Sequence, residues 1–133
     1  MTGLILKLAP NERVLINGAV IENGDRRTRL SIRTPRANIL RLKDAIHPDQ
    51  ATTPVSRACY TCQLILSGDL DITDGKRRLN IAVEELSRVF TDADSRRRIN
   101  LASAAVLDGN AYAALKELRQ LLPREARLFA FKQ

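Results

Sequence analysis

The chain has 133 residues, room for one domain or two small cooperating units, and its 22 Lys and Arg against 15 Asp and Glu give a formal net charge of +7. No apolar run approaches the roughly 20 residues that span a bilayer, the N-terminus lacks the pattern of a secretory signal, and two cysteines are too few for a secreted disulfide scaffold. We therefore expect a cytoplasmic protein without membrane association. The positive charge favours an anionic partner, and composition alone leaves RNA, DNA, an anionic membrane and an acidic protein open.

The first third of the chain is predicted to be β-structure. Short apolar segments at 4–8, 14–16, 19–21 and 37–42 each indicate a strand, and residues 29–33 alternate polar and apolar side chains as a half-buried strand does. Asn17-Gly18 and Asn23-Gly24 are tight-turn signals, because both residue types tolerate positive φ. Residues 1–47 are therefore interpreted as a basic β-module of about five short antiparallel strands.

The remainder, residues 48–133, is predicted to be helical, with about four helices near 53–67, 74–90, 94–107 and 111–122. Thr52 or Thr53 caps the first helix, with Pro54 near its first position and Gly68 as its stop. Pro123 is expected to close the fourth helix, and the apolar tail beyond it is expected to dock on the body or on a partner. The fold class is thus α+β, a small β-module followed by a helical bundle.

The β-module is too short to be stable on its own, since a domain below about 60 residues has a marginally stable core. It must therefore pack against the helices of the same chain, against a second copy of itself, or against both. Its short strands also leave edges that need covering. Symmetric dimerisation is the commonest solution, so a homodimer is expected.

The order of these segments resembles the sequences of two known protein families. Leu4-Ile5-Leu6 at the start, residues 29–32 (RLSI) and residues 39–46 (ILRLKDAI) resemble the carbon storage regulator family (CsrA), small RNA-binding dimers. Residues 15–27 (LINGAVIENGDRR), 40–44 (LRLKD) and 48–54 (PDQATTP) are similar to the FlbT family over nearly the whole chain. The second resemblance implies a post-transcriptional regulator that binds the 5′ untranslated leader of flagellin mRNA, represses translation and promotes decay, although some members of that family act as activators. It also implies a partnership with a second small flagellar regulator, FlaF.

An RNA regulator needs basic side chains for phosphates and planar or strand-edge groups for unpaired bases. The candidate cations all belong to the β-module: Lys7, Arg26, Arg27, Arg29, Arg33, Arg36, Arg41 and Lys43. By resemblance to the carbon storage regulators, Arg41 and Lys43 are the leading pair, with Lys7 on the first strand. The alternative for each residue is a solvated surface arginine, and the module has no Phe, Tyr or Trp on which a base could stack.

The competing interpretation is a protein-interaction module, an adaptor or chaperone of flagellar assembly whose helical half binds flagellin or FlaF. Its candidate contacts are Tyr112, Leu115, Phe129 and Phe131. Tyr112 and Leu115 follow Asp108-Gly109 in a segment like one helical hairpin of a tetratricopeptide repeat, for which simple packing is the favoured explanation. An adaptor that bridges protein and RNA fits both halves.

No constellation of catalytic residues is recognisable, so we expect neither enzymatic activity nor a cofactor. Cys59 and Cys62 form a C-x-x-C on a predicted helix, but a zinc site would want two more ligands, and His47 is the sole histidine. The cysteines are interpreted as small residues of a helix face. The basic runs at 76–78 and 96–98 are interpreted as solvated, with anion binding as the alternative.

Overall fold

The computed structural model describes residues 4–17, 19–35, 37–42 and 45–131. The chain divides into two compact units, the first ending at Ala45 and the second beginning at Ile46. The first (the β-unit) is built of strands and the second (the helical unit) of helices, so the predicted α+β class is confirmed. No helix within the described residues is long and apolar enough to cross a membrane.

The described part of the β-unit contains five strands, as predicted. They are β1 (Leu4–Leu8), β2 (Arg13–Ile16), β3 (Ala19–Glu22), β4 (Thr28–Ile32) and β5 (Ile39–Arg41). All pairings are antiparallel and form two sheets, one of β1 with β4 and one in the order β3-β2-β5. Strands β2 and β3 pair as far as Ile16 and Ala19, and Asn17 between them has a φ of 50°. The positive φ of Asn17 agrees with the tight turn predicted there, while Gly18 lies outside the described residues.

The ribbon of β1 and β4 buries Leu6 and Leu8 on one face and exposes its basic side chains, together with Ile5, on the other. Leu6 pairs with Leu30, and both Leu6 and Leu8 are buried. Because successive side chains alternate across a strand, Lys7 and its partner Arg29 lie on the other face, and both are exposed. One buried cluster of the unit consists of Leu6, Leu8 and Val14, with Ile16, Leu30, Ile32 and Ile39 packed against it. Leu15 of β2 and its partner Leu40 of β5 are buried as well.

The described part of the helical unit contains five helices. They are α1 (Pro54–Ser67), α2 (Ile72–Val89), α3 (Ala93–Leu107), α4 (Ala111–Arg119) and α5 (Leu122–Phe131), preceded by a 3-10 turn at Pro48–Gln50. The predicted start and stop of α1 are confirmed, because the Thr53 hydroxyl accepts the Ser56 amide at 3.2 Å and Gly68 ends the helix with a φ of 82°. The largest fully buried side chains include Phe90, Leu79, Leu86, Ile99 and Leu118.

The segment around Pro123 differs from its prediction. Pro123 was expected to close a helix near 111–122, but α4 ends at Arg119 and Pro123 lies in the first turn of α5. A proline is favourable there, since the first-turn amides have no partner within the helix. Helix α5 is attached to the unit by Glu125, which is buried and accepts the Val55 amide of α1 through Oε2 at 2.9 Å.

Candidate nucleic-acid interface

The β-unit contains a cleft of about 500 Å³ where β1, β4 and β5 meet the turn after β1. Its lining residues are Lys7, Leu8, Ala9, Glu12, Arg27, Thr28, Arg29 and Arg41. Four of these eight side chains are cations and one is a carboxylate. The cleft is therefore a concave site whose formal charge is strongly positive, as a polyanion requires.

Two of the cations face each other across the β1–β4 ribbon. Lys7 and Arg29 are direct cross-strand partners, and both side chains are exposed. Like charges at directly opposed positions destabilise an antiparallel pair. A bound anion relieves that repulsion, so this arrangement favours an anionic ligand over an empty site.

Arg41 is held by contacts within the β-unit. Its Nη2 donates to the Lys7 carbonyl oxygen at 2.6 Å, and its Nε lies 3.5 Å from Oε2 of Glu12. The Arg41 side chain is 28% exposed and that of Glu12 only 7%. Arg41 therefore joins β5 to β1 and neutralises a buried carboxylate. The Arg41 guanidinium thus holds the wall of the cleft together, and these contacts occupy the charge that a phosphate would otherwise use.

Glu12 depends on Arg41 for its charge balance. Its Oε1 accepts the Ala9 amide at 2.9 Å, which closes the turn after β1. Its Oε2 is buried and receives no hydrogen bond from the described residues. An unpaired buried carboxylate is costly, so the nearby guanidinium stabilises this part of the cleft wall.

The remaining cations of the cleft have no such partner. Within the described ranges, no carboxylate forms an ion pair with Lys7, Arg27 or Arg29. Their charge is available to a ligand. Among the other predicted contacts, Arg26 and Arg33 are exposed but lie outside the cleft lining, whereas Arg36 and Lys43 fall outside the described residues.

Asn23 shapes the cleft, and the sequence did not indicate this role. Asn23-Gly24 was expected to form a second tight turn, but β3 and β4 belong to different sheets. The Asn23 amide instead donates to the carbonyls of Ala9 at 2.7 Å and Arg26 at 2.9 Å, and its Oδ1 accepts from the Thr28 hydroxyl at 2.7 Å. These bonds fix the segment that carries Arg27 into β4.

The predicted protein contacts of the helical unit are dispersed. Leu115 is 1% exposed and belongs to the core, while the half-buried Tyr112 lines a separate recess of about 390 Å³ on α4. Phe129 on α5 is 42% exposed. Phe131 ends α5, and its side chain lies outside the described part of the structure.

The basic runs of the helical unit were interpreted as solvated, and Arg77, Arg78 and Arg97 are indeed largely exposed, whereas Arg96 and Arg98 make contacts between elements. Arg96 donates to the carbonyls of Phe90 at 3.1 Å and Ser87 at 3.2 Å, which caps the end of α2. Arg98 forms a 3.0 Å ion pair with Glu117 between α3 and α4. In the run at 76–78, Arg77 pairs with Asp74. Each of these arginines has a partner within the helical unit.

The two cysteines are buried core residues of α1, as their interpretation as helix-face residues requires. Both Cys59 and Cys62 are 0% exposed. Burial raises the pKa of Cys59 to about 12 and raises that of Cys62 further. Because the thiolate is the reactive form, neither side chain is a nucleophile near neutral pH.

A sequence model of one protein family, described as flagellar protein FlbT, matches residues 4–129. The chain belongs to the FlbT family. One relative, from Rhodopseudomonas palustris strain TIE-1, is 36% identical over 127 residues, which are 96% of this chain and 98% of the relative. One from Caulobacter strain K31 is 30% identical over 122 residues, which cover 92% of both chains. Each is described as a probable flagellum biosynthesis repressor protein FlbT.

A third relative, from Caulobacter vibrioides, is described as a flagellum biosynthesis repressor protein FlbT without that qualification. It is 51% identical over 62 residues, which cover 47% of this chain and 43% of the relative. No solved structure matches the chain. The family assignment therefore rests on sequence similarity.

Proposed function

We propose that this protein is a post-transcriptional repressor of flagellin synthesis that binds the 5′ untranslated leader of flagellin mRNA. The family's relatives are named repressors of flagellum biosynthesis, which supports a regulatory role. The observation that carries the RNA step is the cleft of the β-unit, where Lys7, Arg27 and Arg29 lack carboxylate partners among the described residues. Such cations release counterions when they bind phosphates.

Recognition of the leader would rest on phosphate contacts and on arginine planes. The first 45 residues contain no aromatic side chain, so base stacking on Phe, Tyr or Trp is not available in this unit. Guanidinium planes and strand-edge backbone groups are the remaining means of contacting unpaired bases. Binding to the leader would either mask its ribosome-binding site or hold the transcript in a conformation that nucleases can degrade.

The test is a titration of flagellin leader RNA at several salt concentrations. Three phosphate contacts on a single strand predict a slope of about −2 for log affinity against log salt. Loss of Lys7, Arg27 and Arg29 should flatten this slope, whereas Arg77→Gln in the helical unit should not change it. Absence of binding at low salt, or affinity that does not respond to salt, would reject RNA as the partner.

A protein-interaction role is the second candidate, and one observation favours it. A cleft of about 460 Å³ between the end of α2, the start of α3 and helix α5 has Phe90 and Leu128 in its lining. Val89, also in its lining, is 43% exposed, and Phe129 on α5 is 42% exposed. The expected ligands are FlaF and flagellin. A pull-down after RNase treatment that still recovers either protein, and loses it with Phe129→Asp, would support this role.

We also propose a homodimer formed through the strand edges of the β-unit. All four residues of the edge strand β3 are exposed, including Val20 at 62%. Uncovered apolar edge strands pair with other chains. Analytical ultracentrifugation should therefore give twice the monomer mass, and Val20→Lys should yield a folded monomer. A wild-type monomer at high protein concentration would contradict this expectation.

A further inference from the structure

The cations of the cleft in the β-unit lie closer together than is needed to contact successive phosphates of a single RNA strand. Lys7 and Arg29 are cross-strand partners, a relation that places their Cβ atoms about 5 Å apart. Arg27 directly precedes β4 and lies two residues before Arg29 in the chain. All three side chains line the same cleft of about 500 Å³. Their charges therefore converge on one volume.

Arg41, the fourth cation in the cleft lining, adds no net charge to this group. Arg41 and Glu12 neutralise each other in the wall of the cleft, at an Nε to Oε2 distance of 3.5 Å. The charge presented to a ligand is thus that of Lys7, Arg27 and Arg29. The cleft also has the volume of a small-molecule site, which is usually a few hundred Å³. Its contents should be compact and multiply charged.

We propose that this cleft binds a terminal diphosphate or triphosphate group, carried by the 5′ end of an RNA or by a free nucleotide. The RNA form rests on the function proposed above. An internal phosphodiester offers one charge per nucleotide, whereas a terminal polyphosphate places several charges side by side. Two guanidinium groups and an ammonium group match such a ligand, since arginine binds phosphate oxygens in a bidentate manner and lysine acts as a point charge.

The surroundings of the cleft supply a path for the rest of an RNA strand. Arg33 directly follows β4, four residues beyond Arg29 and roughly 14 Å farther along the strand direction. Between these arginines, Ser31 pairs with Ile5 on β1, and both side chains are exposed. The first nucleotides would lie over Ser31 and Ile5, and a later phosphate would meet Arg33. Anchoring at the 5′ end would thereby define the position of the leader on the protein.

The test compares one short unstructured RNA prepared with a 5′ triphosphate, a 5′ monophosphate or a 5′ hydroxyl, at constant ionic strength. The triphosphate form should bind at least roughly tenfold more tightly than the hydroxyl form. Lys7→Gln and Arg29→Gln should each reduce that ratio to about twofold or less. Arg26→Gln is the matched control, because it removes one charge from an adjacent exposed position outside the cleft lining and should leave the ratio unchanged.

Competition with GTP and with inorganic pyrophosphate distinguishes the two sources of the ligand. If GTP alone binds with the affinity of the triphosphate RNA, the ligand is the free nucleotide. If GTP competes weakly, the RNA end is the ligand. Equal binding of all three RNA ends would overturn the polyphosphate site while leaving the proposed RNA function intact. Failure of every RNA to bind, with GTP still bound, would instead reject the RNA function and retain the cleft.

Discussion

The β-unit and the helical unit use their cations in opposite ways. Residues 1–45 contain nine Lys and Arg against four Asp and Glu, whereas residues 46–133 contain thirteen against eleven. In the helical unit, Arg98 pairs with Glu117 and Arg124 with Asp94, so that charge joins helix to helix. In the cleft of the β-unit, three cations have no carboxylate partner among the described residues. Cations that form no ion pair within the described structure are therefore the ones to test for a role in binding.

The two units also differ in what holds them together. The helical unit has a large apolar core with fully buried Phe90, Leu86 and Ile99. Five apolar residues are buried in the described part of the β-unit, namely Leu6, Leu8, Val14, Leu15 and Leu40, and polar bridges from Asn23 and Arg41 supplement them. A small core supplies little stability. Polar side chains around the cleft therefore affect both folding and binding, and experiments must separate the two effects.

The largest expected effect comes from removing charge from one unit and then from the other. Replacing Lys7, Arg27 and Arg29 together with Gln should weaken leader RNA binding by roughly a hundredfold or more at low salt, because the phosphate contacts are lost. Gln at Arg77, Arg78 and Arg97 removes the same charge from exposed helical positions and should change affinity by no more than about threefold. Filter binding measures both. Equal losses would show that net charge, and not the cleft, determines affinity.

Arg41→Ala should destabilise the β-unit by about 2 kcal/mol, because the buried Glu12 carboxylate would lose its counterion. Sequence patterns predicted only a binding role for Arg41, and its contact with Glu12 adds a structural one. Hydrogen exchange at the Leu6 and Val14 amides measures the local stability. Adding Glu12→Gln to Arg41→Ala should recover most of the loss. If Arg41→Ala melts like the wild type, the Arg41–Glu12 pair does not support the cleft.

The corresponding polar anchor of the helical unit is Glu125. Glu125→Ala should lower the free energy of unfolding of this unit by about 1.5 kcal/mol, since the buried Val55 amide at the start of α1 loses its acceptor. Glu125→Gln retains an acceptor oxygen and should lose less. Urea denaturation followed by circular dichroism measures the change. The affinity for leader RNA should be unchanged in Glu125→Ala. A loss of affinity in this variant would mean that the helical unit contributes to binding.

The smallest effect is an acid sensitivity of the helical unit. Hydrogen bonds from Ser95 lower the pKa of Asp92, and those from Arg124 and Arg97 lower the pKa of Asp94. A lowered pKa in the folded state adds stability above the ordinary aspartate pKa of about 4, and this contribution disappears as the pH falls through the folded value. Melting temperature measured between pH 6 and pH 3 should decline less in Asp94→Asn than in the wild type. Identical declines would exclude Asp94 as a source of the sensitivity.

Much of the secondary structure followed from local signals. The apolar residues of segment 4–8 predicted β1, and the alternation of polar and apolar residues at 29–33 predicted β4. Pro54 and Gly68 marked the ends of α1 because their effects depend on backbone geometry alone. Pro123 was misread for the same reason, since a proline is compatible with the end of one helix and with the first turn of the next. The buried contact of Glu125 with α1, 70 positions away in sequence, is what attaches α5 to the unit.

The sequence by itself determined the α+β class, the basic character of the first third and the family to which the chain belongs, because composition, periodicity and motifs are local properties. Only the tertiary structure decided which cations are free to bind. Arg41 and Lys7 are 34 positions apart, yet a 2.6 Å hydrogen bond joins them, and Glu12 then engages the Arg41 charge. Ion pairing depends on distance in space and on burial, which the order of residues does not specify.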